Sequence, residues 1–377
     1  MKGLQCLPLA FAVAAPCAAS EDWTGGFALG AQERTILGDS PLNRDNFLAI
    51  PGTGTRAVGL LEGRLQDVTW RVRTEALRTE TQQTDARDVH THGKVTLQEL
   101  NRVFDLSEAV DGLSLSLGKR LYSLDPSYIN QPLGFLQKRT DLSDPLDTLG
   151  NAEGIPMAVL GWSGARASAA ALHARQAGGR VQSILKLGYE FDAASVSVLV
   201  RRAHGAHAGV GATVSSAPAN ALSWYASAYR NGGDAAYTRA TAGVILTPRL
   251  LPKLQLEYSY NGQGMADAEY DALRVQAESM LPPYALAQLA ARLPSLGARQ
   301  HYASVTLSQT AGSWDISGGA YMGLEDKSKV WHGQADFAIN ARTHLMLSMM
   351  RQQGAADSER ALSPVKETLA LRLRHAF

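Results

Sequence analysis

The chain has 377 residues, of which 45% are hydrophobic and 19% charged, with a formal charge of +1. So balanced a charge offers no basic field for a polyphosphate, and nucleic acid is not expected as a partner. No later segment approaches 18 consecutive apolar residues, which argues against a helical membrane protein.

The N-terminus reads MKGLQCLPLAFAVAAPCAASEDW. Lys2 is a minimal basic start, and Leu4 to Ala15 is an apolar run of signal-peptide length, too short to span a bilayer. Cys17-Ala18-Ala19 fits a small-x-small cleavage site before Ser20, so residues 1–19 are expected to be a cleaved signal peptide and 20–377 a single domain. A lipoprotein reading would use Cys17, but Pro16 before it is a poor match. Both cysteines, Cys6 and Cys17, fall in this segment. The mature chain then carries no thiol, which avoids stray disulfides in an oxidising compartment.

From there on the chain shows period-2 alternation, the pattern of strands with one apolar face. Leu113, Leu115 and Leu117 alternate with Ser114, Ser116 and Gly118. Val196, Val198 and Val200 alternate with Ser195, Ser197 and Arg201. Leu254, Leu256, Tyr258 and Tyr260 alternate with Gln255, Glu257, Ser259 and Asn261. Similar stretches begin near residues 25, 55, 69, 94, 113, 155, 165, 181, 195, 207, 221, 235, 252, 300, 313, 329, 343 and 365. A sandwich would alternate in the same way, so connection lengths must discriminate. The long connections are Leu37–Gly54, Gln82–Gly93, Asp125–Gly154, Gly262–Gln300 and Gln352–Pro364, and each falls after an odd-numbered strand. Short turns, such as Gln66-Asp67 and Ser163-Gly164, follow the even ones. Long loops at one end and short turns at the other are the signature of a transmembrane barrel. The expected fold is therefore all-β, an antiparallel up-and-down barrel of about 18 strands. Sixteen is the rival count, because 165–174 is Ala-rich and 207–216 is short.

The chain closes on ETLALRLRHAF, where Leu369, Leu371, Leu373 and Phe377 lie on one face of the last strand. This terminal pattern resembles the C-terminal assembly signal of Gram-negative outer-membrane barrels. In architecture the chain resembles outer-membrane porins and larger export channels such as the alginate-export type. The resemblance implies residence in the cell outer membrane and contact with outer-membrane lipid, lipopolysaccharide and the barrel-assembly machinery. It also implies an unidentified solute and a homo-oligomer, for which the Ala-rich strand at 165–174 would suit a flat contact. The expected function is diffusion of small hydrophilic solutes. A dedicated export conduit or receptor for a polymer or peptide, working with periplasmic partners, is the alternative.

If apolar positions face lipid, their neighbours face a lumen. Arg71, Arg73, Glu75, Arg120, Lys186, Glu190, His332, Arg372 and Arg374 then point inward. The last strand neighbours the first few, so the arginines among them are expected to form a basic patch, with Glu257, Asp315 and Asp336 on the opposite wall. Such opposed walls would set a transverse field. Glu257, facing water, is expected to accept charge reversal, whereas Leu256 is not. The loop at 125–154 carries Asp125, Asp141, Asp144, Asp147 and Glu153 and is expected to fold inward, as the third loop of many porins does. Its acidic spacing is not an EF-hand pattern, and neither a metal nor another cofactor is expected. The segment 263–299 reads as two helices broken at Pro282-Pro283. Tyr270, Leu273 and Met280 mark one apolar side, and Tyr284, Leu286, Leu289 and Leu293 the other. Catalysis is the least supported reading. His332 and Asp336 are about 13 Å apart along a strand, although His344 on the next strand can approach one of them. His90 and His92, beside Asp85 and Asp88, sit in an expected loop, and no G-x-S-x-G motif occurs.

Overall fold

The computed structural model describes residues 23–377 except 38, 39, 44, 45, 47, 84, 85, 137, 140–151, 177, 178, 234, 235, 250 and 280–297. The expected signal peptide therefore lies outside the described residues, with Cys6 and Cys17. The wall consists of eighteen strands in one antiparallel sheet. They are β1 (Trp23–Ile36), β2 (Thr53–Leu65), β3 (Val68–Gln83), β4 (Ala86–Asp105), β5 (Leu113–Arg120), β6 (Ile155–Ser163), β7 (Ala167–Arg175), β8 (Val181–Glu190) and β9 (Ser195–Ala203). The second half runs β10 (Gly209–Ala219), β11 (Leu222–Asn231), β12 (Tyr237–Leu246), β13 (Lys253–Asn261), β14 (His301–Ala311), β15 (Trp314–Gly323), β16 (Lys329–Ala338), β17 (Thr343–Gln353) and β18 (Val365–Ala376). Both doubtful segments, 167–175 and 209–219, are wall strands, so the count is eighteen.

Every strand pairs with its neighbours in sequence, and β1 pairs with β2 on one side and β18 on the other. The sheet therefore has no edge, and no row of unpaired backbone groups faces the surroundings. The seam runs from Gly26 opposite Ala376 to Ile36 opposite Val365, with an irregularity after Thr35. Beyond it, Phe377 donates its N–H to the Gly25 carbonyl at 3.0 Å and accepts the Gly25 N–H at 3.3 Å. The Phe377 ring meets Trp23 edge-on at 6.2 Å and lies over Gly25, where a Cβ would come within 2.6 Å of it. Only glycine leaves room for the ring there.

Directly paired residues share a face, so the register divides the wall into two surfaces. One row runs Leu371, Leu347, Ala335 and Ile316; another runs Tyr189, Val196 and Val214. Followed around the barrel, this surface carries nearly all the exposed large apolar side chains of the strands, among them Leu117, Leu160, Leu187, Val198, Leu256, Leu307 and Leu369. An apolar belt on the outside of a closed sheet is what a lipid hydrocarbon layer accommodates. Trp23, Trp70, Trp162, Trp224 and Trp314 all lie on this surface near the short turns, with Tyr189, Phe337 and Phe377. Only Trp331 lies near the long-loop end. That is an aromatic girdle at one interface.

The connections sort by length as the sequence suggests, with one exception. Gln82–Gly93 is not a loop. Strands β3 and β4 continue their ladder to Gln83 opposite Ala86, so His90 and His92 sit in a strand, opposite Thr79 and Leu77. The cause is visible in composition: the part from Val89 to His92 is Val-His-Thr-His, the stretch holds no proline, and Thr79 and Thr81 lie across from it. The connection after β13 contains helix α1 (Asp267–Glu278), with Asp267 and Glu269 in its first turn, where the helix dipole favours acidic groups. Tyr270, Leu273 and Ala277 are its buried face, packed with Leu42 of the first loop and Leu362 of the last. Met280 and the second expected helix lie outside the described residues.

Candidate functional site: the lumen and the loop that crosses it

The inner surface is mainly polar, with Val58, Leu60, Met346 and Met350 among its apolar residues. The 34-residue connection from Tyr122's neighbour Leu121 to Gly154 covers much of it. Leu124, Leu133 and Leu136 of this loop form one buried cluster with Ile155, Met157 and Val159 of β6, Leu172 and Ala174 of β7, Ile184 of β8, Leu199 of β9 and Tyr229 of β11. All these wall residues lie on the face opposite the exposed Leu, Val and Trp belt. The loop has therefore folded into the barrel and lies along the wall from β6 to β13. At roughly 1.5–3 kcal/mol for each large apolar side chain buried, the cluster is a substantial anchor.

The loop tip is held by polar contacts. Glu257 of β13 accepts backbone N–H groups from Tyr128 (3.1 Å), Ile129 (3.5 Å) and Asn130 (3.0 Å), and the Tyr225 hydroxyl at 2.5 Å. Asn130 donates its side-chain amide to the Tyr321 hydroxyl and accepts a bond from Thr241 on its carbonyl. Ser127 and Ser227 share a hydroxyl contact of 2.9 Å. Asp125 accepts the N–H groups of Ser127 and Leu133 and so folds the turn. This loop carboxylate is a turn staple. Asp141, Asp144 and Asp147 lie outside the described residues, and Glu153 pairs with Lys119 at 2.5 Å. Glu257 faces inward but is only 3% exposed. It is a clamp on the loop, and the expected tolerance of charge reversal does not hold, because a cation there would be buried against three amide donors.

The described loop residues make these contacts between β6 and β15; the inner wall beyond them includes β16–β18 and β1–β3, where Ala28, Val58 and Arg73 are themselves buried. Arg372 and Arg56 lie in one cross-strand row, separated by Gly30, and the Arg372 stem lies across that glycine. Arg374 lies one register step away. Glu75 pairs with Arg56 at 3.2 Å and with Arg73 at 2.8 Å, and Arg71 pairs with Glu62 at 2.5 Å. On β18, β1, β2 and β3 the inward charges are Arg372, Arg374, Arg34, Arg56, Arg64, Arg71 and Arg73 against Glu62 and Glu75. This face is basic with its acids already paired.

Asp315 and Asp336 do not stand opposite this patch. They sit on β15 and β16, beside it, because β16 is separated from β18 only by β17. Asp336 bonds His344 at 3.0 Å and lies 3.8 Å from Arg374. Asp315 accepts the Thr310 hydroxyl. The two acids thus trim one border of the basic face, and the inner side across the lumen is made of the loop. Arg120 stacks over Tyr122 at 5.5 Å at the loop's root. His332 is inward between Gly319 and Met350. Lys186 lies on the inner face of β8, apart from the arginines. His90 pairs with Asp88 at 2.9 Å on an exposed strand extension.

Over the long-loop end, Arg299 bonds Asp267 at the start of α1, lies 3.6 Å from Glu325, and stacks on Tyr270 at 4.8 Å. Tyr302 of β14 accepts the Arg299 N–H and donates to Glu359, both at 2.7 Å. Burial raises the Tyr270 phenol above its ordinary pKa, aided by Glu359 and Asp326. These contacts seat the helix on the rim.

No family model matches the chain, and no curated protein matches it in sequence. Among solved structures, a triple mutant of the Rhodopseudomonas blastica porin is similar to it with a TM-score of 0.44 at 11% identity, over 94% of this chain and 99% of that one. A double mutant of the same porin gives 0.46 at 9% identity over the same shares. A structure described as "Asymmetric conductivity of engineered proteins" gives 0.45 at 10% identity, again over 94% and 99%. The strand ladders themselves establish the closed eighteen-strand barrel.

Proposed function

We propose that the protein is an outer-membrane channel through which small hydrophilic solutes diffuse, with the loop over β6–β13 narrowing the passage and the basic face on β18–β3 biasing it toward anions. The observation that carries this reading is the division of the inner wall. One side is covered by a loop fixed through an apolar cluster and the Glu257 clamp, and the other presents arginines. A barrel of eighteen strands is too wide for its own side chains to fill, so the uncovered side borders water. Field lines from a one-signed wall concentrate where low-dielectric walls approach each other. The long loops then lie outside and the aromatic girdle at the periplasmic interface, where the short turns are.

The test is reversal potential in planar bilayers under a salt gradient. The wild-type barrel should favour chloride over potassium. The double variant Arg56→Ala/Arg372→Ala should lose most of that preference while keeping its heat-modifiable mobility. Cation preference in the wild type, or no change in the double variant, would remove the basic face from the account.

A further inference from the structure

The inner wall carries a row of hydroxyls that the loop uses only in part. Read along the ladders at one level, Ser168, Gly188, Ser197, Thr213, Ser227, Thr241 and Ser259 follow one another from β7 to β13. The far half is occupied: Ser127 of the loop bonds Ser227, and the Asn130 carbonyl takes the Thr241 hydroxyl. The near half is open. Between it and the start of the loop lies a cavity of about 330 Å³, bordered by Ser123, Ser168, Lys186, Ser195, Ser197 and Thr213.

Two features make this a binding cavity rather than leftover space. Lys186 points inward one register step above Gly188, is partly buried, and has no ion-pair partner among the described residues. Glu190 also lines the cavity, on the same face of β8 and about 13 Å from Lys186 along the strand. Gly188, between them, leaves a gap in the wall. A Cβ there would come within 2.5 Å of the Ser168 hydroxyl. Ser197 and Thr213 bond each other at 2.7 Å, but each hydroxyl has one donor and two acceptor sites, so both retain capacity. The pocket therefore offers one cation at one end, several hydroxyls, the Glu190 carboxylate as a hydroxyl acceptor at the other end, and the Asp125 carboxylate.

We propose that this cavity is a subsite for a small, polyhydroxylated anion, a sugar acid, whose carboxylate meets Lys186 and whose hydroxyls meet the Ser168–Thr213 row. The volume is at the small end of ligand pockets, which fits a single sugar ring. The Asp125 carboxylate also borders the cavity, but it is committed to the Ser127 and Leu133 amides. Solutes would pause here on the covered side of the lumen while the basic face draws them in. The inference rests on the channel reading and adds a saturable step to it.

The experiment measures current block in planar bilayers with glucuronate, glucose and propionate, on the full barrel and on Lys186→Gln and Gly188→Val. Glucuronate should block saturably, and about tenfold more tightly than glucose, which lacks the charge, or propionate, which lacks the hydroxyls. Lys186→Gln should erase the advantage over glucose, and Gly188→Val should weaken both sugars. Equal block by glucuronate and propionate, or an unchanged Lys186→Gln, overturns the subsite. A barrel that conducts without saturable block overturns the subsite and leaves the channel standing. A barrel that does not conduct overturns the channel, and calorimetric titration of the solubilised barrel with glucuronate then reads the subsite independently: heat that depends on Lys186 supports it, and none overturns it.

Discussion

At the scale of single residues, Glu257 shows how a pore-facing position differs from a pore-exposed one. Alternation places it inward, but it cannot reveal that three backbone amides from a loop 127 to 129 positions earlier converge on its carboxylate. Hydrogen bonds to a charged acceptor contribute about 1.5–3 kcal/mol each. Glu257→Gln should therefore loosen the tip, and amide hydrogen exchange at Tyr128 and Asn130 should speed up by at least about tenfold. Unchanged exchange would mean that the apolar cluster alone holds the loop. At the seam, Phe377→Ser removes an edge-on aromatic contact of roughly 1 kcal/mol and the ring that fills the space over Gly25. Less heat-modifiable barrel and a lower denaturant midpoint are expected, and equal yields would deny the seam contact a part in assembly. Leu256, 45% exposed on the outer belt, should not accept arginine, at a cost of about 2–4 kcal/mol in mid-bilayer. Gln334→Arg, on the inner face between Ser317 and Ser348, should refold with wild-type stability. If both variants refold alike, the inside–outside assignment of these strands is wrong.

At the scale of elements, what could be read in the sequence depended on period and spacing. Most strands were legible because alternation and connection length are local properties, whereas the Ala-rich 167–175 and the short 209–219 left sixteen as a rival count. The extension of β3 and β4 was missed because His90 and His92, next to aspartates, look like a loop, whereas Thr79 and Thr81 across the ladder favour pairing. The loop's inward fold was legible from its length and position. Its docking surface was not, because Leu133, Tyr229 and Glu257 are far apart in sequence and meet only through closure of the barrel. The supposed opposition of Asp336 to the arginines failed for the same reason: strand order places β16 two steps from β18, and the acid pairs with Arg374 instead. The hydroxyl row was invisible, since each serine or threonine on its own is an ordinary inward residue. Helix α1 was legible in its apolar side, and its seat on Leu42 and Leu362 was not. Replacing residues 265–298 with a short Gly-Ser link should leave the barrel assembled, because the wall ladders do not include them, and should raise single-channel conductance by uncovering part of the rim. Loss of assembly would make the segment part of the fold's core.

At the scale of the whole molecule, a formal charge of +1 conceals an uneven distribution. The outside is apolar with an aromatic girdle, one inner side is sealed by a loop, and the other is basic. On the proposed channel function, this distribution corresponds to a passage of limited width rather than a wide pore. The most direct test is osmotic swelling of liposomes carrying the purified barrel, in iso-osmotic sugars of increasing size. The account predicts rapid swelling in pentoses, slower swelling in disaccharides and none in large oligosaccharides, with the cutoff rising in Glu257→Gln. Liposomes that fail to swell in any sugar, although the barrel is folded and heat-modifiable, would contradict it.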